Sequence, residues 1–185
     1  NLFLLKISYA TQNNTCAKDI YTLLVLDTSG SMNQSDGGET RIGTLKARSK
    51  ALIDSIKSKE SKIVREYGFI TFNSSVFLGN KGPTIASTAK DAIDGISATG
   101  QTSLYDAVWE GANSMKTFLA TDNHYLNYLG VILVFSDGVD NSSTKTLSDA
   151  VSKVNSLKAS YPDTLVFFYE VEGSVPGGVN NPGDI

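Results

Sequence analysis

The chain has 185 residues, 41% of them hydrophobic and 19% charged, with a formal net charge of −3. That length supports one ordinary domain with a core that needs no disulfide or zinc staple, and 16 glycines with 4 prolines exclude a collagenous or low-complexity chain. The mild acidity leaves no electrostatic footprint for nucleic acid or an anionic membrane, and no stretch nears the ~20 apolar residues of a membrane span.

The chain opens at Asn1 with neither an initiator methionine nor a signal-peptide pattern, so it reads as a processed or excised piece of a soluble protein. Residues 2–9 begin with a short apolar run broken by Lys6, and read as an extra edge strand or the remnant of a neighbouring domain. Residues 21–26 are a continuous β-prone run that ends at Asp27, and a Gly/Ser/Asp-rich loop follows to about Thr40. Leu45, Leu52, Ile53 and Ile56 then recur at helical spacing. Residues 67–72 form a second strand, with 75–78 its hairpin partner across Asn73-Ser74. Residues 86–96 are a short helix in which Thr88 and Asp91 stand at capping-box spacing.

A turn over 98–101 leads into the clearest helix, whose Leu104, Val108, Ala112, Met115 and Leu119 form one apolar face. Ser103 with Asp106 reads as its capping box. Residues 131–135 are another buried run, closed by Ser136-Asp137-Gly138. A helix capped by Thr146 and Asp149 carries Leu147, Val151, Val154 and Leu157, and 164–171 is the last strand. Continuous apolar strands alternating with amphipathic helices predict an α/β fold, doubly wound, with a mostly parallel central sheet, helices on both faces and one antiparallel edge strand. Residues 1–19 read as an N-terminal extension, 20–172 as the domain, and 173–185 as a Gly/Pro/Asn loop where the domain is cut short.

Cys16 and His124 are each alone in the chain, which excludes an intrachain disulfide, thiolate zinc and His-rich metal centres. Any metal must be held by oxygen. In an open α/β sheet, ligands bind at the carboxyl ends of the strands. Three polar loops emerge there: Asp27-Thr28-Ser29-Gly30-Ser31, Gly100-Gln101-Thr102-Ser103 and Ser136-Asp137-Gly138. They offer two carboxylates and several hydroxyls, a hard donor set suited to Mg²⁺, Mn²⁺ or Ca²⁺. Two carboxylates neutralise a divalent cation once, so the ion stays electrophilic and accepts an acidic oxygen from outside.

Asp27-Thr28-Ser29-Gly30-Ser31 resembles the Asp-x-Ser-x-Ser signature of von Willebrand factor A domains. Gly100 to Ala107 resembles their second metal loop, and Phe135 to Asn141 their third. The resemblance runs from Ile20 to about Val171 and lacks the family's last helix and sixth strand. It implies a Rossmann-like fold and a metal-ion-dependent adhesion site made of Asp27, Ser29, Ser31, Thr102 and Asp137. It also implies one divalent cation, Mg²⁺ before Mn²⁺ or Ca²⁺, and a protein partner whose Glu or Asp supplies the last ligand. The family's bacterial surface and pilus adhesins point to the cell surface, and a cytoplasmic subunit beside an ATPase motor is the alternative setting.

Enzymatic readings fare worse. A Mg²⁺-dependent phosphohydrolase of the haloacid-dehalogenase type needs a second carboxylate where Ser29 stands. A Ser-His-Asp hydrolase fails on the position of His124, and a P-loop is absent. Asp36 and Glu39 read as a solvated loop, Asp140 and Asn141 as turn polar groups, Tyr105 and Trp109 as lateral packing, and His124 as a surface loop residue. Asn13, Asn33, Asn73 and Asn141 begin glycosylation sequons at a density near chance, and glycans at Asn33 or Asn141 would crowd the metal face. A bacterial origin fits better than a heavily glycosylated secretory one.

Overall fold

Apolar runs with no polar alternation become strands that are covered on both faces. The computed structural model describes residues 18–36, 38–57, 63–79 and 82–171; the run 2–9, Asn13, Cys16 and the loop 173–185 lie outside the described residues. Strand β1 (Asp19–Asp27) leads through a 3-10 turn (Gly30–Asn33) and a small antiparallel hairpin, β2 (Ser35–Asp36) and β3 (Glu39–Thr40), into α1 (Arg41–Lys57). Then come β4 (Arg65–Phe72), β5 (Val76–Phe77), α2 (Ala86–Asp94), α3 (Leu104–Ala120), the four-residue α4 (His124–Asn127), β6 (Tyr128–Ser136), α5 (Leu147–Ser160) and β7 (Leu165–Glu170). The five-stranded sheet has the order β5-β4-β1-β6-β7, parallel except for β5. The expected fold class holds. No helix among the described residues is long and apolar enough to cross a membrane.

The period of two along a strand divides the core. Leu23, Val25, Ile132 and Val134 face one cluster with Val108, Ala112 and Met115 of α3 and Ala150 and Leu157 of α5. Leu24, Leu26, Leu133 and Phe135 face the other, with Leu45 and Ile53 of α1 and Ala89 and Ile93 of α2. Each such aliphatic side chain contributes ~1.5–3 kcal/mol by leaving water. From β1 the chain departs through α1 on one face, and from its neighbour β6 through α5 on the other. Adjacent strands whose connections part to opposite faces leave a crevice at their carboxyl ends. Asp27 ends β1 there and Ser136 ends β6.

Four local expectations need correction. Thr88 and Asp91 make no capping box: the helix starts at Ala86, as expected, after an extended Ile85 (ψ 159°) that has no side-chain cap, and it stops at Asp94, short of Ile96. The chain enters it from Thr84, which pairs with Tyr67, and that pairing sets the start. Leu147 is exposed, because Ala150, Val154 and Leu157 supply the inward stripe of α5. The Thr146–Asp149 capping box does form, with both reciprocal bonds. His124 is not in a surface loop. Positive φ at Asp122 (47°) and Asn123 (58°) turns the chain back, and the His124 ring lies 4.6 Å from that of Phe118. As expected, it sits at the amino end of the sheet.

Candidate metal centre

Asp27 is the last residue of β1 and is wholly buried. The strand ends because Thr28 turns both its N–H (2.7 Å) and its hydroxyl (2.9 Å) onto the carbonyl of Phe72. Ser29 N–H then closes back on Asp27 Oδ1 at 2.8 Å, and the Ser136 hydroxyl donates to Oδ2 at 2.6 Å. Burial pushes the Asp27 carboxyl above the ordinary range and the charge of Asp137 adds to this, while the bonds from Ser136 and Ser29 pull the other way. A carboxylate has about four lone-pair positions, so these bonds do not exhaust it.

The other residues of the first loop extend the chain of contacts. Ser29 Oγ and Ser31 Oγ are 3.0 Å apart, and Ser31 Oγ donates to Asp137 Oδ1 at 2.9 Å. Asp137 Oδ2 takes a 2.7 Å bond from Nη1 of Arg41. Asp27, Ser29, Ser31 and Asp137 thus form one hydrogen-bonded string across the crevice between β1 and β6.

Thr102 joins this string through the backbone. Gly30 N–H reaches the carbonyl of Gly100 (2.8 Å) and Thr99 N–H that of Thr28 (2.8 Å), so the second loop is laid against the first. The approach requires glycine at both places. A Cβ on Gly30 would stand 3.0 Å from Gly100 O, and Gly100 has φ +80°. On its far side Thr102 N–H donates to Asn141 Oδ1 (2.8 Å), while its carbonyl accepts from the N–H groups of Asn141 (2.9 Å) and Ser142 (3.1 Å). The Thr102 hydroxyl, on a residue only 4% exposed, makes no hydrogen bond among the described residues.

Several polar residues act differently from their sequence reading. Ser103 is the residue before α3 but caps nothing with its side chain; its hydroxyl donates to Asn73 O at 2.5 Å. Asp106 accepts instead from Thr144 N–H (2.9 Å) and Lys145 N–H (2.8 Å), so no capping box forms there. Asp140 accepts from Tyr105 N–H (3.2 Å) and from the Ser143 hydroxyl, so Asp140 and Asn141 clamp the third loop to the second. Trp109 packs laterally as expected, with the ammonium groups of Lys153 and Lys145 at 4.4 and 5.3 Å from its ring centre. Glu39 lies exposed in β3, and the side chain of Asp36 is outside the described residues.

The donor set fits a hard cation in its chemistry: two carboxylates, the Ser29 and Ser31 hydroxyls, and the Thr102 hydroxyl. It is also sparse. Among the described residues, no group of three or more His, Cys, Asp or Glu side chains gathers where it would hold a metal. Sequence reasoning missed two participants. Ser136 was visible only as a motif letter, and its bond to Asp27 depends on β1 and β6 being neighbours. Arg41 did leave a signal: a cation at the first position of a helix whose first turn has no acidic residue.

A family model described as von Willebrand factor type A domain matches residues 22–139, more than half of the chain. No curated protein matches it. Among solved structures, the PilB minor pilin from Streptococcus sanguinis superposes with a TM-score of 0.61 at 15% identity, over 88% of this chain and 52% of that one. An aerotolerance-related membrane protein from Bacteroides fragilis gives 0.58 at 21% identity, over 80% and 65%. The vWF domain of the type V pili tip protein Mfa5 from Porphyromonas gingivalis gives 0.55 at 15% identity, over 73% and 44%. The chain therefore spans 44% to 65% of the length of these structures, and at these identities the likeness establishes the fold.

Proposed function

The chain belongs to the von Willebrand factor type A domain family, and from that premise we propose a non-enzymatic binding module that grips an acidic side chain of a protein partner through one divalent cation. Asp27, Ser29, Ser31, Thr102 and Asp137 are the proposed ligand set, for Mg²⁺ foremost and for Mn²⁺ or Ca²⁺ as substitutes. The observation that carries this reading is the charge count: two carboxylates meet in the crevice, and one of them is already bonded to a guanidinium.

A bound divalent cation supplies an electrophilic position that so little protein charge leaves unfilled. Asp27 is held by Ser29 and Ser136. Ser29 and Ser31 bring neutral hydroxyls, and Thr102 adds one with no competing partner among the described residues. Ser29 stands where a phosphohydrolase of the haloacid-dehalogenase type needs its second carboxylate, and His124 is at the other end of the sheet. A minor pilin and a pilus tip protein share the fold, which supports a setting at the cell surface.

Calorimetric titration with Mg²⁺ tests the metal: the wild type takes up one ion, and Asp27→Ala takes up none. Equal uptake by both overturns the reading. Ser29→Asp tests the acidic partner, because a third carboxylate keeps the ion and fills the charge that a partner would bring. Water-proton relaxation by bound Mn²⁺ should fall when a glutamate-bearing peptide is added to wild type, and should not respond in Ser29→Asp.

A further inference from the structure

Arg41 opens α1 with its side chain 5% exposed, and its Nη1 lies 2.7 Å from Oδ2 of an Asp137 side chain that is fully buried. The helix position itself disfavours a cation. The N-terminus of a helix carries partial positive charge that repels it, and the first turn of α1 offers no acidic residue. A buried guanidinium is unfavourable unless a carboxylate is placed on it. That carboxylate comes from 96 residues further along the chain, and it belongs to the proposed metal set. With Ser31 on Oδ1 and Arg41 on Oδ2, both oxygens of Asp137 are engaged by this chain's own donors.

We propose that Arg41 stands in for the metal at Asp137: the guanidinium holds that carboxylate in place before the ion arrives, and opposes the ion's charge once it is there. The inference rests on the metal reading above and adds a tuning residue to it. Two like charges sharing one carboxylate at short range, in a medium of effective dielectric constant ~20, repel by several RT. The ion is therefore held reversibly, and the site stays assembled without it. Asp27, by contrast, is held by hydrogen bonds from Ser29 and Ser136.

Arg41→Met removes the charge and keeps much of the alkyl packing. In chelator its thermal midpoint should fall well below that of wild type. Saturating Mg²⁺ should restore most of the loss, because an ion bound only by the folded chain stabilises it in proportion to its affinity. By calorimetry the variant should bind Mg²⁺ at least about tenfold more tightly than wild type. Arg41→Lys, which keeps the charge, should bind as wild type does.

If Arg41→Met loses the same midpoint with and without Mg²⁺, and its affinity is unchanged or weaker, Arg41 is a structural clamp and the proposal is overturned. A wild type that binds Mg²⁺ while Arg41→Met behaves so leaves the metal reading standing; a wild type that binds none removes both. Should Arg41→Met fail to fold in either condition, the uncharged Arg41→Gln is measured in the same way. In addition, an Arg41 Nε–H resonance that saturating Mg²⁺ does not move in the wild-type chain overturns the proposal by itself.

Discussion

The two ends of the central sheet are held together by opposite means. At the amino end Tyr21 stacks on Phe118 with ring centres 4.0 Å apart, and Phe118 meets His124 and Tyr128 at 4.6 and 5.3 Å. Both phenols there stay neutral: burial first, then Glu66, pushes Tyr128 up to about 12 and raises Tyr21 as well. At the carboxyl end the same strands finish in buried carboxylates that hydroxyls and one guanidinium hold. Aromatic rings gain by leaving water, whereas carboxylates lose unless they are paired. The amino end is built for stability. The carboxyl end gives some of it up, and it is there that a ligand has the most to contribute.

That contrast is open to a direct break. Phe118→Ala should lower unfolding free energy by about 3 kcal/mol, measured by urea denaturation, and by the same amount in chelator and in Mg²⁺. Asp27→Asn should do the reverse. With Oδ1 of the new amide still accepting from Ser29 N–H and its Nδ2 donating to the Ser136 hydroxyl oxygen, the metal-free variant should be as stable as wild type or up to about 1 kcal/mol more so, and Mg²⁺ should no longer stabilise it. Thr102→Ala is milder on both counts: a stability change within about 0.5–1 kcal/mol, and Mg²⁺ affinity about tenfold weaker through one lost hydroxyl. A Phe118→Ala loss that Mg²⁺ repairs, or an Asp27→Asn chain that unfolds in chelator, would show that the two ends are not separable.

How much of this could be read from the chain depended on the range of the interaction. The apolar runs at 21–26 and 131–135, and the stripe from Leu104 to Leu119, encode their own burial, so the doubly wound sheet was legible. So was the convergence of Asp27, Ser29, Ser31 and Asp137, since loops at strand ends follow from topology. What was not legible is where a short polar side chain spends its hydrogen bonds. Ser103 and Asp106 have capping-box spacing, yet Asn73 and the 144–145 backbone compete for them and win. Thr146 and Asp149 have the same spacing and no competitor, so that box forms. The Arg41–Asp137 bond lies in no local pattern at all, because only the folded crevice brings its partners together.

The smallest expected effect is also the sharpest check on why Asp27 differs from other acids near the same end of the sheet. Asp149, at the cap of α5, is the control: its hydrogen bonds with Thr146 hold its carboxyl below the ordinary range. A depressed folded value means stability that is present above the unfolded value of about 3.9 and lost as pH falls through the folded value. Asp149→Asn should therefore lower the midpoint slightly at neutral pH, and its difference from wild type should vanish in acid. Asp27 is raised by burial, so its sign is opposite. In chelator the charged wild type is penalised at neutral pH relative to Asp27→Asn, and it gains on the variant as pH falls through the folded value towards about 3.9. Thermal midpoints of the three chains between pH 3 and 8 give two difference curves. Curves of opposite slope identify burial as the force on Asp27. If both slope as the Asp149 curve does, the hydrogen bonds from Ser29 and Ser136 outweigh burial, and the carboxyl end is as well settled as the aromatic one.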